Sequence, residues 1–179
     1  FVVQECLVCH ESLRNIYPRS VNTFRVFTYR WKDQIHMAPT VLRLGRGDMD
    51  VDNASQGGLF IGVKHDGRLY DYASTKYGER FYEHPDTSLS FSGYTLPLFS
   101  KVTDVAMRLH YAMPQIGFCN WDLTIDEKGD VVLIEGNLQF GGVWIFQMAC
   151  GVPVFGEHTA EMLQWVQKMK RLSQSRNDA

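Results

Sequence analysis

Hydrophobic and polar positions follow two periods along this chain. Residues 23–31 (TFRVFTYRW) are dense in β-branched and aromatic side chains and read as a strand, turning near Lys32-Asp33 into a return strand over residues 35–44. Residues 1–7 are also strand-like. Residues 59–63 form a further apolar run, with a hairpin turn at Asp66-Gly67 and a partner strand over residues 68–72. Residues 75–94 are polar and irregular. From Pro97 the period lengthens. Leu98, Val102, Val105, Leu109 and Met113 fall on one helical stripe, reinforced by Phe99, Ala106 and Ala112 and bracketed by Pro97 and Pro114. Residues 144–149 read as a short helix broken at Gly151-Val152-Pro153. Residues 159–172 read as a last amphipathic helix with Met162, Leu163, Val166, Met169 and Leu172 inward. Hairpins segregated from helices predict an α+β fold with a mainly antiparallel sheet and flanking helices. Residues 1–172 are expected to form one lobe and residues 173–179 a frayed polar tail.

The most informative stretch is a second hairpin. Residues 121–125 are one strand, Asp126 to Gly129 a tight turn, and residues 131–134 an unbroken apolar return that predicts burial on both faces. Polarity then switches abruptly to Glu135-Gly136-Asn137. Strand residues two apart share a face, so Glu135 and Asn137 can aim together and Asp122 can reach the same point from the paired strand. Two carboxylates and an amide oxygen make a hard oxygen site suited to Mg²⁺, which completes its shell with water and phosphate oxygens. The competing reading is a surface hairpin with ordinary acidic residues.

Composition narrows the classes. The 179 residues are 45% hydrophobic and 21% charged, enough to bury a core and incompatible with disorder. A net charge of −2 gives no support for a nucleic-acid surface, and no apolar run is long enough for a membrane span. No secretory signal is visible, and the expected location is the cytoplasm. Cys6-Leu-Val-Cys9-His10 matches a c-type haem attachment pattern, but it sits in a strand-like stretch without an export signal. Cys119 and Cys150 do not supply the second pair that a zinc site needs, so reduced thiols are expected throughout. Arg46-Gly47-Asp48 and the sequon Asn53-Ala54-Ser55 have meaning only outside the cell.

Two further features bear on phosphate. Arg25, in Asn22-Thr23-Phe24-Arg25, projects a guanidinium from a rigid strand. Arg43 leads into the loop ending Asn53-Ala-Ser-Gln-Gly57-Gly58, whose adjacent glycines let the backbone approach an anion. The order of these elements, with SVNTFR (20–25), VDNASQGG (51–58), His84-Pro85, GFCNWD (117–122) and IEGN (134–137), resembles the C-terminal lobe of ATP-grasp enzymes. The likeness is greatest to the sugar-transfer-associated and glutamate-ligase-like branches.

The resemblance implies that Asp122, Glu135 and Asn137 hold Mg²⁺ bridging the ATP phosphates. It implies that Arg25 and Arg43 meet phosphate or an acyl-phosphate intermediate. Asn53 and the Gly57-Gly58 loop would lie over the γ-phosphate and acceptor, and Asn22 would also bind the cofactor. Gln4, Glu5, Cys6 and Leu7 resemble the hinge strand that meets adenine and ribose. The implied activity is an ATP- and Mg²⁺-dependent carboxylate–amine or carboxylate–thiol ligase. Its partners would be ATP, a small-molecule carboxylate and an amine-type acceptor, sugar- or amino-acid-linked acceptors included. The family's N-terminal lobe, with its lysines and Gly-rich loop, has no counterpart in these residues and is expected elsewhere in the same protein. Asn120 stands where some members carry an arginine, and Leu138 follows the Glu-x-Asn segment in place of the usual proline. Two other classes remain: a non-catalytic nucleotide- or sugar-binding module of the same fold, and a metal hydrolase, which lacks a His-rich second site.

Overall fold

A computed structural model describes residues 6–48, 57–139 and 142–177, with side chains at 173 and 175–177 excepted. Its elements in chain order are α1 (Glu11–Arg14), β1 (Thr23–Trp31), β2 (Gln34–Met37), β3 (Thr40–Leu44), β4 (Leu59–Val63), β5 (Ala73–Ser74) and β6 (Arg80–Phe81). After these come α2 (Phe99–Tyr111), β7 (Phe118–Ile125), β8 (Val131–Asn137), α3 (Trp144–Cys150) and α4 (Thr159–Asn177). The strands form one antiparallel sheet in the order β6-β5-β4-β3-β1-β7-β8, with β2 paired to the far end of β1. The α+β class with a mainly antiparallel sheet therefore holds.

The β1–β2 turn follows its sequence cue. Trp31 pairs with Gln34, and Lys32 and Asp33 take φ values of 49° and 63°, as a two-residue hairpin turn requires. The return strand over residues 35–44 is interrupted. Thr28 pairs with Met37 but Arg25 with Val41, so β2–β3 carries one residue more than β1 across Ala38-Pro39. Pro39 has no N–H to give to the ladder, and the bulge absorbs it. Residues 68–72 do not form a strand. Leu69 and Arg68 make single bridges to Val63 and Thr95.

Alternation along the strands splits the interior in two. Phe24, Val26, Leu42, Ile61, Trp121 and Leu123 face the larger core, where Phe99, Val102 and Ala106 of α2 cover them. Phe27, Val41 and Phe60 face the other way, onto Ile145, Phe146 and Ala149 of α3. The close approach of α3 needs Gly62, because a Cβ there would lie 2.7 Å from both Cys150 Sγ and a Tyr70 ring carbon.

Two expectations about apolar stripes do not hold. The run at residues 131–134 is not buried on both faces. β8 ends the sheet, and Leu133 and Ile134 are 43% and 49% exposed. The α4 stripe is not inward either: Leu163, Val166, Met169 and Leu172 are all exposed, and only Met162 packs against the smaller core. A helical period creates an apolar stripe, but a neighbour must be there to cover it.

Candidate functional site

The sheet face that carries α3 also carries the polar cluster. Cross-strand partners project to the same side. Arg25 pairs with Asp122 and with Val41 of the smaller core, and Arg43 pairs with Thr23 and with Phe60 of the same core. Arg25 grips Asp122 with both arms: Nε donates to Oδ1 at 2.8 Å and Nη2 to Oδ2 at 2.7 Å. Arg43 Nη2 stands 3.2 Å from Asp122 Oδ2, and its Nε and Nη2 donate to Thr23 Oγ1 at 2.9 and 2.7 Å. Asp122 is 3% exposed in its side chain, so two guanidinium groups offset the cost of burying one carboxylate. The planar fork-to-fork geometry holds both groups in fixed orientation.

Glu135 and Asn137 reach this face because of a second bulge. From the turn, Ile125 pairs with Val131 and Leu123 with Leu133, which puts Val131 and Leu133 on the side of the larger core. Beyond it, Asp122 pairs with Glu135 and Asn120 with Asn137. Ile134 is the extra residue, and the register shift falls between Asp122 and Leu123. A slip of one residue moves every later side chain to the opposite face. In an unbulged hairpin Glu135 would face Trp121 and the core. With the bulge, Gly136 lies over the Trp121 ring, where a Cβ would come within 3.2 Å, and Glu135 and Asn137 stand beside Asp122 and Asn120.

The donor set suits a hard cation. An ionised carboxylate offers about four acceptor positions. Arg25 and Arg43 use three on Asp122, leaving room for one more. Glu135 is exposed and Asn137 half-buried. Among the described residues no three His, Cys, Asp or Glu side chains converge on a metal position. The set here is two carboxylates and amides, the chemistry of Mg²⁺ with its retained water.

The remaining expected site residues divide. Gly57 has φ +105° and Gly58 is buried, and both immediately precede β4, whose Phe60 pairs with Arg43. Asn53, Gln4 and Glu5 lie outside the described residues. Cys6 is exposed and Leu7 half-buried in irregular chain. That segment is pinned at the turn end of the β7–β8 hairpin, through a Cys9–Asp126 bridge and a His10 N–H to Ile125 carbonyl bond of 2.8 Å. His10 caps α1 through Nδ1, and Cys9 lies in the larger core. Asn22 does not face the cluster. It is fully buried, its Nδ2 donates to the Leu13 and Tyr17 carbonyls at 3.0 and 2.7 Å, and its Oδ1 accepts from Ser20 Oγ at 3.0 Å. Its place in the structure is a brace between α1 and β1.

Sequence reasoning missed two contributors. His84 is buried, stacks on Tyr17 at 5.1 Å and meets the Gly45 carbonyl through Nε2 at 2.9 Å. Asp86 accepts from the Gly47 N–H at 2.8 Å. The His84-Pro85 segment thus anchors the chain that leaves β3 towards Asn53. The other is Asn120, buried beside Asp122 with no partner among the described residues for either amide atom. No local pattern gives either role: that of His84 depends on contacts distant in sequence, and the burial of Asn120 on which strands lie beside it. Two thiols can be set aside as nucleophiles. Burial, then the Asp122 charge, pushes Cys119 up to about 12, and burial does the same to Cys150.

The profile of one family, sugar-transfer associated ATP-grasp, matches residues 1–162. The chain belongs to that family. No curated protein and no solved structure matches it. The bulged β7–β8 hairpin and the Arg25–Asp122–Arg43 cluster thus lie in an ATP-grasp chain, within the matched residues. No helix among the described residues is long and apolar enough to cross a membrane. A cavity of about 630 Å³ lies apart from the cluster, between Trp31, Phe118, Met162, Trp165 and Val166.

Proposed function

We propose that this ATP-grasp chain binds Mg·ATP at the Asp122–Glu135–Asn137 face and serves a ligase that joins a carboxylate to an amine-type or thiol acceptor through an acyl phosphate. The observation that carries the reading is the Ile134 bulge, which sets Glu135 and Asn137 beside an Asp122 already gripped by Arg25 and Arg43. Asp122, Glu135 and Asn137 hold the cation, which when bound neutralises charge on the phosphate oxygens. Arg25 and Arg43 lie next to Asp122 and meet the negative charge that develops as the γ-phosphoryl moves to the carboxylate. Their rigid strand positions supply orientation, which is most of what this chemistry asks of a protein. The acyl phosphate has a good leaving group, and the acceptor displaces it. The Gly57-Gly58 end of the loop, beside the strand of Arg43, and Asn53 within it, suit the acceptor side. Cytoplasmic ATP and Mg²⁺ would supply both cofactors.

The test uses the protein in its full natural length. Glu135→Ala and Asn137→Ala should each weaken Mg·ATP binding at least about tenfold by calorimetry, a loss of roughly 1.4 kcal/mol. Unchanged affinity in both sinks the metal assignment. ADP and phosphate should accumulate only when a carboxylate and an acceptor are both present. Phosphate release without an acceptor would instead indicate hydrolysis, and tight binding without turnover would indicate a binding module.

A further inference from the structure

Asn120 is 1% exposed, and among the described residues neither its amide nitrogen nor its amide oxygen has a hydrogen-bond partner. A side-chain amide brings two N–H donors and an acceptor. Leaving all of them unmet in a dry interior is costly, and native chains rarely do so without a reason. The surroundings explain why the protein itself provides nothing. Asn120 pairs across the sheet with Phe27, whose ring meets Phe118 at 5.9 Å and Phe146 at 5.8 Å. On its other side it pairs with Asn137, and Asp122 lies two residues along the same strand. Asn120, Asp122, Glu135 and Asn137 therefore form a two-by-two array on one face, with an aromatic wall along one edge.

The unmet groups also say what kind of ligand fits. A bare anion only accepts hydrogen bonds and would satisfy the nitrogen alone. A bare cation would engage the oxygen alone. A hydrated Mg²⁺–phosphate unit presents acceptors on phosphate and donors on metal-bound water together. We propose that Asn120 is a ligand-binding residue of this site, its nitrogen donating to a phosphate oxygen and its oxygen accepting from a water on the cation. The inference rests on the Mg·ATP reading above and adds a fourth residue to it. A neutral amide suits the position. Arg25 and Arg43 already stand around Asp122, and a third cation there would compete with the metal.

Asn120→Leu keeps the number and branching of side-chain heavy atoms and removes both polar functions. The expected result is a melting temperature equal to or above wild type together with at least about tenfold weaker binding of Mg²⁺ plus a non-hydrolysable ATP analogue. Asn120→Asp keeps an acceptor, loses the donors and adds charge. It should tighten binding of Mg²⁺ alone and weaken binding of the nucleotide complex. In the wild-type protein, the Asn120 side-chain amide resonances should shift on adding Mg²⁺ with the analogue and stay in place with inorganic phosphate alone, a readout that does not depend on any variant folding. Wild-type nucleotide affinity in Asn120→Leu, or amide resonances unmoved by the complex, overturns the inference while the Mg·ATP reading stands. A wild-type protein that binds no Mg·ATP removes that reading and the inference with it.

Discussion

On one face of β1 and β7, Phe24, Val26, Trp121 and Leu123 are at most 2% exposed and are sealed by α2. On the other face of the same strands, Arg25, Asn120 and Asp122 alternate with them, flanked by Glu135 and Asn137 of the edge strand. The backbone is shared, so its hydrogen bonds cannot account for the difference. One face is a packed apolar layer whose worth is burial. The other confines charge and unmet amides in a setting where each depends on a specific partner. Stability and chemistry are thus divided by the two-residue period of a strand, and the Ile134 bulge brings Glu135 and Asn137 to the chemical side.

The division predicts different responses to truncation. Leu123→Ala, fully buried, should cost roughly 2–5 kcal/mol in urea unfolding and leave Mg·ATP affinity of the folded fraction unchanged. A loss of affinity as large as the loss of stability would mean that the two faces are coupled. Asp122→Ala leaves Arg25 and Arg43 facing each other with their carboxylate gone. Breaking such a pair costs roughly 3–5 kcal/mol when fully buried, and the partial exposure of Arg25 lowers the expectation to about 2–3 kcal/mol. Replacing all three by apolar residues (Arg25→Met, Arg43→Met, Asp122→Leu) should recover most of that stability and abolish nucleotide binding. If the triple variant is as unstable as Asp122→Ala, the cluster is structural and the comparison fails.

A smaller effect should come from pH, and it belongs to the apolar side. His110 is buried, its Nδ1 lies 2.7 Å from Thr28 Oγ1 and its Nε2 3.0 Å from the Ile116 carbonyl. Burial lowers the pKa of both His110 and His84 below the usual 6.5, against a partly offsetting backbone hydrogen bond in each. Above pH 6.5 both are neutral in the folded and unfolded chains, and the linkage is absent. As pH falls through 6.5 the unfolded chain binds protons first, so stability drops until the folded-state histidines also titrate. The melting temperature should therefore decline between pH 7.5 and 5.5, and the slope should be shallower in His110→Gln. A flat profile contradicts the burial argument. The smallest effect is expected on α4. Leu163→Ser, at an exposed position, should change stability by no more than about 0.5 kcal/mol.

The sequence made some elements legible and left others hidden, for a common physical reason. β1 begins and ends where its β-branched and aromatic run does, and α2 lies between the two prolines that bracket its stripe. These are local properties. The bulges at residues 38–39 and at Ile134 are relations between two strands, and neither strand's composition records the other's register. Asp122, Glu135 and Asn137 were visible as candidate ligands from residue type and spacing, but the slip that puts them on one face was not. The exposed stripe of α4 and the exposed run of β8 have the same origin: apolar pattern is local, whereas burial needs a neighbour. Asn22 reads as a site residue, and His84 only as part of a recognisable segment, and only the fold shows their side chains bonded to the α1 region and to the chain leaving β3.

Deleting Ile134 beside removing a ligand tests the central claim most directly, because the deletion takes out the extra residue yet leaves Glu135 next to Leu133, so that a regular ladder still pairs Asp122 with Glu135 and Asn120 with Asn137 on the same face. Measured by calorimetry, the deletion should retain Mg·ATP binding within about threefold, whereas the same deletion combined with Glu135→Ala should lose it by at least about tenfold. A folded deletion protein carrying Glu135→Ala that binds Mg·ATP as tightly as wild type would contradict the account.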